Sequence, residues 1–336
     1  MITIALDVMG GDYCPDSNIE GALDALKEDK ELKLLLVGPS DLISEKISDW
    51  DPELKERAEI LNATEVISPE ESPVFAVRKK KDSTLVVGSR AVKEGRAEAL
   101  VSAGSTGAVL GSGQLVVGRL PGVLRPPLAS LIPTKKGFKL FLDMGANVDA
   151  KPEWLLQFAM MGTIYMQQVC HLEAPQVKLV NLGTEEEKGN ALTKGANELL
   201  KAAEGINYQG YIESRDVIMG EADVIVADAF TGNAILKTME GTVDFVMGSV
   251  KEVLKSSLKT KLAAMLIMKP LKAKLKEYSA SEQGGAMLLG LNGLVMKCHG
   301  NASGKDIRVA LIKSAQFARE NVCGVMREAF KEDKEQ

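Results

Sequence analysis

Polar side chains follow several apolar runs of this sequence, and their types suit the binding of a small anion. The clearest case is the stretch 222–237, in which a β-branched run ends at Asp228 and is followed by Thr231, Gly232 and Asn233. We predict a buried strand, a turn that Gly232 permits, and a helix that begins just after its cap, Asn233. A tight turn without a ligand uses the same residue types, so this stretch alone leaves both interpretations open.

A second polar turn follows the short apolar run at the start of the chain. It contains Asp7, the adjacent glycines Gly10 and Gly11, and Asp12. Two glycines let the backbone approach a ligand closely, and the carboxylates can orient polar groups. A plain turn is the alternative. The G-x-G-x-x-G fingerprint is not matched, which argues against a dinucleotide site here.

The strongest candidate for a phosphate-binding loop follows the apolar run 99–101. Its small residues are Ser102, Gly104, Ser105, Thr106 and Gly107. Small residues expose backbone amides, hydroxyls donate hydrogen bonds, and the start of a following helix favours an anion. A nucleotide-binding P-loop also needs a lysine, which is missing here, so inorganic phosphate is favoured over ATP.

Two further apolar runs end in polar side chains. Asp143 and Asn147 follow one run, and Asn181, Glu185 and Lys188 follow the next. Lys188 is a cation that can reach a phosphate. Because the carboxyl ends of parallel strands form one edge of an open α/β sheet, we expect all of these turns to line one shared cleft.

The remaining segments complete a pattern of alternating strands and helices. The charged stretch 42–61 predicts a helix, the proline- and glycine-rich stretch 119–133 predicts a crossing loop, and 305–330 predicts one long closing helix. His299, one of two histidines, follows an apolar run. It can protonate a leaving group or bind an anion, and a purely structural role is the alternative.

Composition limits the class of protein. The 336 residues are 45% hydrophobic, enough for one large α/β core or two modest ones. The net charge of −5, from 41 basic and 46 acidic residues, argues against a nucleic-acid binder that relies on overall positive charge. The four cysteines lack C-x-x-C spacing, which favours neither a zinc site nor disulfides and fits a reducing cytoplasm. We expect no signal peptide and no membrane-spanning helix.

The segment 251–276 differs from the rest of the chain because it contains eight lysines and one acidic residue. Leu254, Leu258 and Leu262 recur at helical spacing, and an apolar run that includes Leu266 ends at a Lys-Pro pair. The pattern predicts a basic helical hairpin with an apolar tip at about residues 245–280. It suits an anionic membrane surface, an acidic partner protein or packing within a dimer.

With these motifs in hand, the chain resembles the bacterial acyl-acyl-carrier-protein:phosphate acyltransferase (PlsX) family of phospholipid synthesis. The resemblance covers nearly the whole length. It is carried by six ordered motifs, at 7–12, 102–108, 143–147, 181–189, 228–233 and 299–300.

The resemblance implies a three-layer α/β/α sandwich with a mostly parallel central sheet, akin to isocitrate and isopropylmalate dehydrogenases, and a homodimer. We expect one catalytic domain over residues 1–330, followed by a charged, solvated tail at 331–336. It further implies that inorganic phosphate attacks the thioester of a long-chain acyl group on acyl carrier protein. Because phosphate is already an anionic nucleophile and a thiolate leaves readily, we expect neither a cofactor nor a metal. The basic segment with its apolar run predicts docking at the inner face of the cell membrane.

Under this interpretation Asp228, Asn233, Lys188 and His299 are the catalytic candidates, and the other polar residues named above bind phosphate and thioester. Two alternatives remain open. One is a short-chain phosphotransacetylase that uses acyl-coenzyme A, and the other is a phosphate-sensing module without enzymatic activity.

Overall fold

A single mixed sheet runs through the protein. In the computed structural model, which describes residues 1–276 and 284–332, the sheet has eleven strands. They are β1 (Ile2–Asp7), β2 (Leu32–Gly38), β3 (Ala58–Asn62), β4 (Ala99–Ser102), β5 (Leu128–Thr134), β6 (Gly137–Leu142), β7 (Gln176–Val180), β8 (Asn207–Ile212), β9 (Val224–Val226), β10 (Ala286–Leu288) and β11 (Leu294–Lys297).

The order across the sheet is β3-β2-β1-β4-β11-β10-β5-β6-β9-β7-β8. The first five strands in this order are mutually parallel and form what we call the first half; the last four are also parallel and form the second half. β10 is antiparallel to β11 and β5, and β5 is antiparallel to β6. The two halves therefore run in opposite directions, and the prediction that all polar turns share one carboxyl edge is wrong.

Helices cover both faces of the sheet and complete the three layers predicted from the sequence. They are α1 (Asp16–Glu28), α2 (Ser40–Lys46), α3 (Pro52–Glu56), α4 (Pro73–Lys79), α5 (Thr84–Lys93), α6 (Thr106–Ser112), α7 (Pro152–Cys170), α8 (Ala191–Ala202), α9 (Ser214–Val217), α10 (Ala229–Lys255), α11 (Leu258–Lys276), α12 (Gly304–Arg319) and α13 (Val322–Glu332). α6 continues into a π-helical turn, Gly113–Val117.

The hydrophobic core is continuous on one face of the sheet and divided on the other. On the continuous face, α1, α7, α8, α12 and α13 pack in one cluster against both halves. On the divided face, α4, α5 and α6 pack against the first half, whereas α9 and α10 pack against the second. β5 shows the division, because Leu128 and Ile132 lie on the same face of this strand, yet Leu128 packs in the cluster of the first half and Ile132 in that of the second.

The division leaves a cleft on that face. α6 contacts β11 and α10 contacts β6, and these strands lie three positions apart in the sheet. At the usual spacing between strands this is about 14 Å, whereas helices in contact lie about 8–10 Å apart. We call the space between α6 and α10, above β10 and β5, the cleft.

Three predicted elements differ from those observed. The charged stretch 42–61 contains two short helices and the edge strand β3, because Pro52 begins a new helix under an Asp51 cap. The stretch 119–133 is a loop only in its first part and then forms β5, which pairs on both sides. The closing helix is two helices, which separate near Asn321, where φ is +53°.

The basic segment 251–276 is helical, as predicted. α10 and α11 form the hairpin, with Ser256 and Ser257 between them. The apolar run does not form the tip, because α11 continues through Pro270 to Lys276 and places that run within its length. Residues 277–280 of the expected hairpin and 333–336 of the expected tail lie outside the described residues. No helix in the described ranges is long and apolar enough to span a bilayer.

Candidate functional site

The turns that follow β1 and β4 are tied together by their own side chains. The Ser102 hydroxyl donates to Asp7 Oδ2 at 2.7 Å and accepts from the Gly104 amide at 3.0 Å. Gly10 is needed here, because a Cβ at this position would lie 2.7 Å from Asp7 Oδ2 and 2.8 Å from the Gly104 nitrogen. Burial raises the pKa of Asp7, and hydrogen bonds from Thr84 and Ser102 oppose that rise. Asp7 and Ser102 therefore shape the two turns from within.

The turn that follows β11 joins this group. The Asp12 amide donates to the Gly300 carbonyl at 2.7 Å. A Cβ at Gly11 would meet Ala103 and Gly300, each at 2.9 Å. His299 is exposed beside them. The structure thus brings the predicted site residues of 7–12, 102–104 and 299–300 together at one edge of the first half.

The loop after Ser102 leads directly into a helix. Ser105 caps α6, accepting from the Ala108 amide at 3.4 Å, and Thr106 is the first helical residue. Gly107 lies against Pro73, where a Cβ would approach to 2.6 Å. The amides of this loop lie at a helix start, as the sequence predicts.

Asp143 follows the end of β6 and holds the turn there against the start of β5. It is fully buried, and its carboxylate accepts hydrogen bonds of 2.7–3.1 Å from four backbone amides and the Asn147 side chain. The backbone donors are Leu128, Gly145, Ala146 and Asn147. Burial raises the pKa of Asp143, and these hydrogen bonds counteract the rise. Asp143 and Asn147, the two predicted site residues of this turn, therefore stabilise its backbone.

The helix that follows β9 starts earlier than predicted. Asp228, rather than Asn233, is the cap of α10, and its carboxylate accepts from the Thr231 amide at 3.0 Å and the Thr231 hydroxyl at 2.7 Å. Asn233 lies inside the helix and is exposed. Gly232 serves close packing rather than a turn, because a Cβ there would overlap the carbonyl oxygen of Asp143.

Asn181 shapes the loop that follows β7. Its Nδ2 donates to the carbonyls of Gly183 at 3.0 Å and Lys188 at 3.2 Å, and its Oδ1 accepts from the Thr193 hydroxyl at 3.1 Å. Lys188 Nζ lies 3.0 Å from Glu185 Oε1, with both side chains about half exposed. The hydrogen bond to Glu185 raises the pKa of Lys188. The loop thus presents a protonated lysine to solvent.

A pocket of about 460 Å³ lies where these loops of the second half meet. It brings together three predicted residues, Asn181, Asp228 and Thr231. The full lining is Leu155, Leu179, Val180, Asn181, Leu182, Gly189, Asn190, Thr193, Ser214, Ala227, Asp228 and Thr231. Asn190 caps α8 and Ser214 begins α9, so three helices start around this pocket. Helix starts favour anions.

A polar stripe on α10, which the sequence pattern does not predict, connects the pocket to the first half. Asn233, Lys237 and Glu240 follow one another at i, i+4 and i+7 along α10, a spacing that places them on one face. Lys237 pairs with Glu240 at 2.6 Å, and Glu240 Oε1 lies 3.8 Å from His299 Nε2. At about 1.5 Å per residue, α10 covers about 18 Å from its cap to Glu240. α10 therefore joins the two groups of turns along the cleft.

Comparison with known proteins assigns the chain to a family. The family model described as "Fatty acid synthesis protein" matches residues 2–325. Proteins named "Phosphate acyltransferase" from Heliobacterium modesticaldum and Bacillus subtilis are 45% and 41% identical, covering 97% and 98% of this chain and 96% and 98% of their own lengths.

Solved structures show a similar fold at low sequence identity. A phosphotransacetylase from Streptococcus pyogenes superposes with a TM-score of 0.60 at 19% identity, covering 95% of this chain and 94% of its own. A branched-chain phosphotransacylase from Enterococcus faecalis V583 gives 0.56 at 14% identity, with 95% and 100% covered. These two likenesses concern the fold alone.

The contact between Gly232 and Asp143 predicts a stability difference within one helix. We expect Gly232→Ala to lower the free energy of unfolding by about 1–3 kcal/mol, because α10 must move away from the β6 turn. Gly241→Ala is the matched control, since a Cβ there meets nothing within 4 Å, and it should stabilise by about 0.5–1 kcal/mol. Urea denaturation measures both. Equal changes in the two variants would contradict the packing described.

Proposed function

The chain belongs to the fatty acid synthesis protein family, and from this premise we propose that it is a phosphate acyltransferase. The observation that carries the proposal is the identity of 41–45% to proteins of that name over nearly the whole length of each chain. The polar pocket and the cleft supply a place for the reaction.

The proposed reaction needs positioning more than activation. A phosphate oxygen attacks the thioester carbonyl carbon, the new C–O bond forms, the C–S bond breaks, and the thiolate leaves and takes up a proton. Phosphate is already an anionic nucleophile, and a thiol with a pKa of about 8.5 is a good leaving group. Orientation and stabilisation of the carbonyl oxyanion therefore account for most of the catalysis required.

We assign the polar groups of the second half to the reacting atoms. Lys188 and Asn233 present a cation and an amide to solvent near the pocket, and both suit contacts with phosphate or oxyanion. Asp228 positions the start of α10 through its hydrogen bonds to Thr231. His299, paired with Glu240, is proposed to approach the same substrates from the first half across the cleft.

We propose that the acyl donor is a long-chain acyl group on acyl carrier protein. The hairpin of α10 and α11 carries clustered lysines beside exposed apolar side chains, which suits an enzyme whose product is poorly soluble in water. A short-chain transacetylase has no evident use for this hairpin. The association of two copies as a homodimer stays a prediction.

One assay separates the proposed function from its alternatives. With the wild-type protein we expect release of free thiol from palmitoyl acyl carrier protein only when inorganic phosphate is present, and much slower release from acetyl-coenzyme A. Thiol detection with a chromogenic disulfide measures both reactions. A preference for acetyl-coenzyme A would indicate the short-chain transacetylase, and phosphate binding without thiol release from either donor would indicate a sensing module.

The exposed leucines of the hairpin predict reversible attachment to an anionic membrane surface. Leu258 and Leu262 are 80% and 60% exposed, so their replacement should leave the fold intact. Each lysine near the surface contributes about 1 kcal/mol of attraction to anionic lipid, and buried CH₂ groups add about 0.8 kcal/mol each. We expect the double variant Leu258→Glu, Leu262→Glu to lose sedimentation with anionic liposomes. Its turnover of palmitoyl acyl carrier protein in solution should stay nearly unchanged.

The control variant introduces two glutamates at exposed positions outside the hairpin. Val66→Glu with Val74→Glu replaces exposed apolar side chains outside the hairpin and should leave liposome binding unaltered. If the hairpin double variant still sediments with liposomes, the hairpin does not attach to the membrane. A collapse of turnover without a change in sedimentation would instead assign the hairpin to carrier protein or to dimer packing.

A further inference from the structure

Lys297 is a lysine buried at the edge of the cleft, on the strand that α6 contacts. It is the last residue of β11, where it pairs with Ser102 of β4 and Ala286 of β10. Its exposure is 8%. Because side chains alternate along a strand, Lys297 shares the face of Val295, which packs in the first-half cluster on the divided face. Its strand neighbours Ser102 and Ala286 have small side chains.

This lysine lacks a counter-ion within the part of the chain that the structure describes. Its Nζ donates to the carbonyl oxygen of Cys298. Burial lowers the pKa of Lys297, and the nearby Cys298 and Asp12 oppose this fall. By contrast, Lys139, also largely buried, pairs with Asp223 at 2.6 Å. A buried ammonium group without a partner is costly, and buried charges are normally paired.

We propose that Lys297 binds the inorganic phosphate nucleophile at the edge of the cleft. The inference rests on the proposed function and names the group that receives its phosphate. A bound phosphate supplies the negative charge that Lys297 lacks. On the opposite wall, the stripe Asn233, Lys237 and Glu240 of α10 supplies polar groups that can complete the site.

The chemistry of the position favours a small oxyanion over other anions of the reaction. Lys297 is largely buried, and its strand neighbour Ser102 holds the turns of Asp7 and Gly104 together, so only a small part of the side chain meets solvent. An ammonium group gives charge-assisted hydrogen bonds to phosphate oxygens. Lys297 takes no proton from the substrate in this role and acts by holding the nucleophile.

Isothermal titration calorimetry with inorganic phosphate tests the site without requiring turnover. We expect Lys297→Met, which keeps an unbranched side chain one atom shorter and removes the charge, to weaken phosphate binding about tenfold or more. The matched control Lys139→Met should bind phosphate as the wild type does. Equal affinity in wild type and Lys297→Met, or no binding of phosphate to the wild type, would overturn the proposal.

Kinetics and stability distinguish this role from a structural one. Lys297→Met should raise the KM for phosphate about tenfold or more and leave the KM for the acyl donor unchanged. Its melting temperature should not fall, because it removes a buried ammonium group that has no acidic partner among the described residues, whereas Lys139→Met should melt lower because Asp223 loses its partner. A wild type that binds phosphate through Lys297 without cleaving thioesters would contradict the proposed function and leave the site standing.

A measurement on the wild type covers the case in which Lys297→Met does not fold. Acetylation of lysines by acetic anhydride, mapped by mass spectrometry, should decrease at Lys297 when phosphate is added and stay constant at Lys139. Unchanged acetylation of Lys297 at saturating phosphate would overturn the proposal.

Discussion

The buried carboxylate of Asp143 fixes the point at which the two halves of the sheet meet. It accepts a hydrogen bond from Leu128 on β5 and three more from the amides of its own turn. The backbone of the same residue packs against Gly232 in the first turn of α10. Leaving one of these donors buried without a partner would lower the free energy of unfolding by about 1–3 kcal/mol. The direction of α10, and with it the wall of the cleft, depends on this contact.

The position of α10, which this contact sets, determines where the other groups of the proposed site lie. α10 starts at the pocket of the second half and carries its polar stripe to Glu240, where His299 of the first half lies. The opposite direction of the two halves separates their strand ends, and α10 spans the distance between them. The same helix continues into the basic hairpin, so that the proposed catalytic groups and the proposed docking surface belong to one element.

Much of the local structure could be predicted from the sequence, and the arrangement of the two halves could not. Polar residues do follow β1, β4, β6, β7 and β9 as predicted. Strand direction, however, depends on β5 and β10, and neither has a pattern that reveals its antiparallel pairing. The prolines and glycines around β5 favour a loop in the sequence pattern, and β10 is only three residues long.

The two errors at α10 share a physical cause. Both Asp228 and Asn233 are good helix caps, and the choice between them depends on tertiary packing against the β6 turn. Gly232 suggests a turn in isolation, whereas the nearness of Asp143 explains it once the fold is known. The sequence does not predict Lys297 as a site residue, because a lysine at the end of an apolar strand usually reaches solvent. Only its burial in the structure indicates a binding role.

The proposed site requires that the two halves of the sheet hold the same phosphate across the cleft. A double-mutant cycle on kcat/KM for phosphate tests it, with Asn233→Ala on α10 and Lys297→Met on β11. We predict that the two effects are not additive, with a coupling energy well above the roughly 0.5 kcal/mol within which independent sites add. Effects that add within that limit would contradict the account, because Asn233 and Lys297 would then act at separate places.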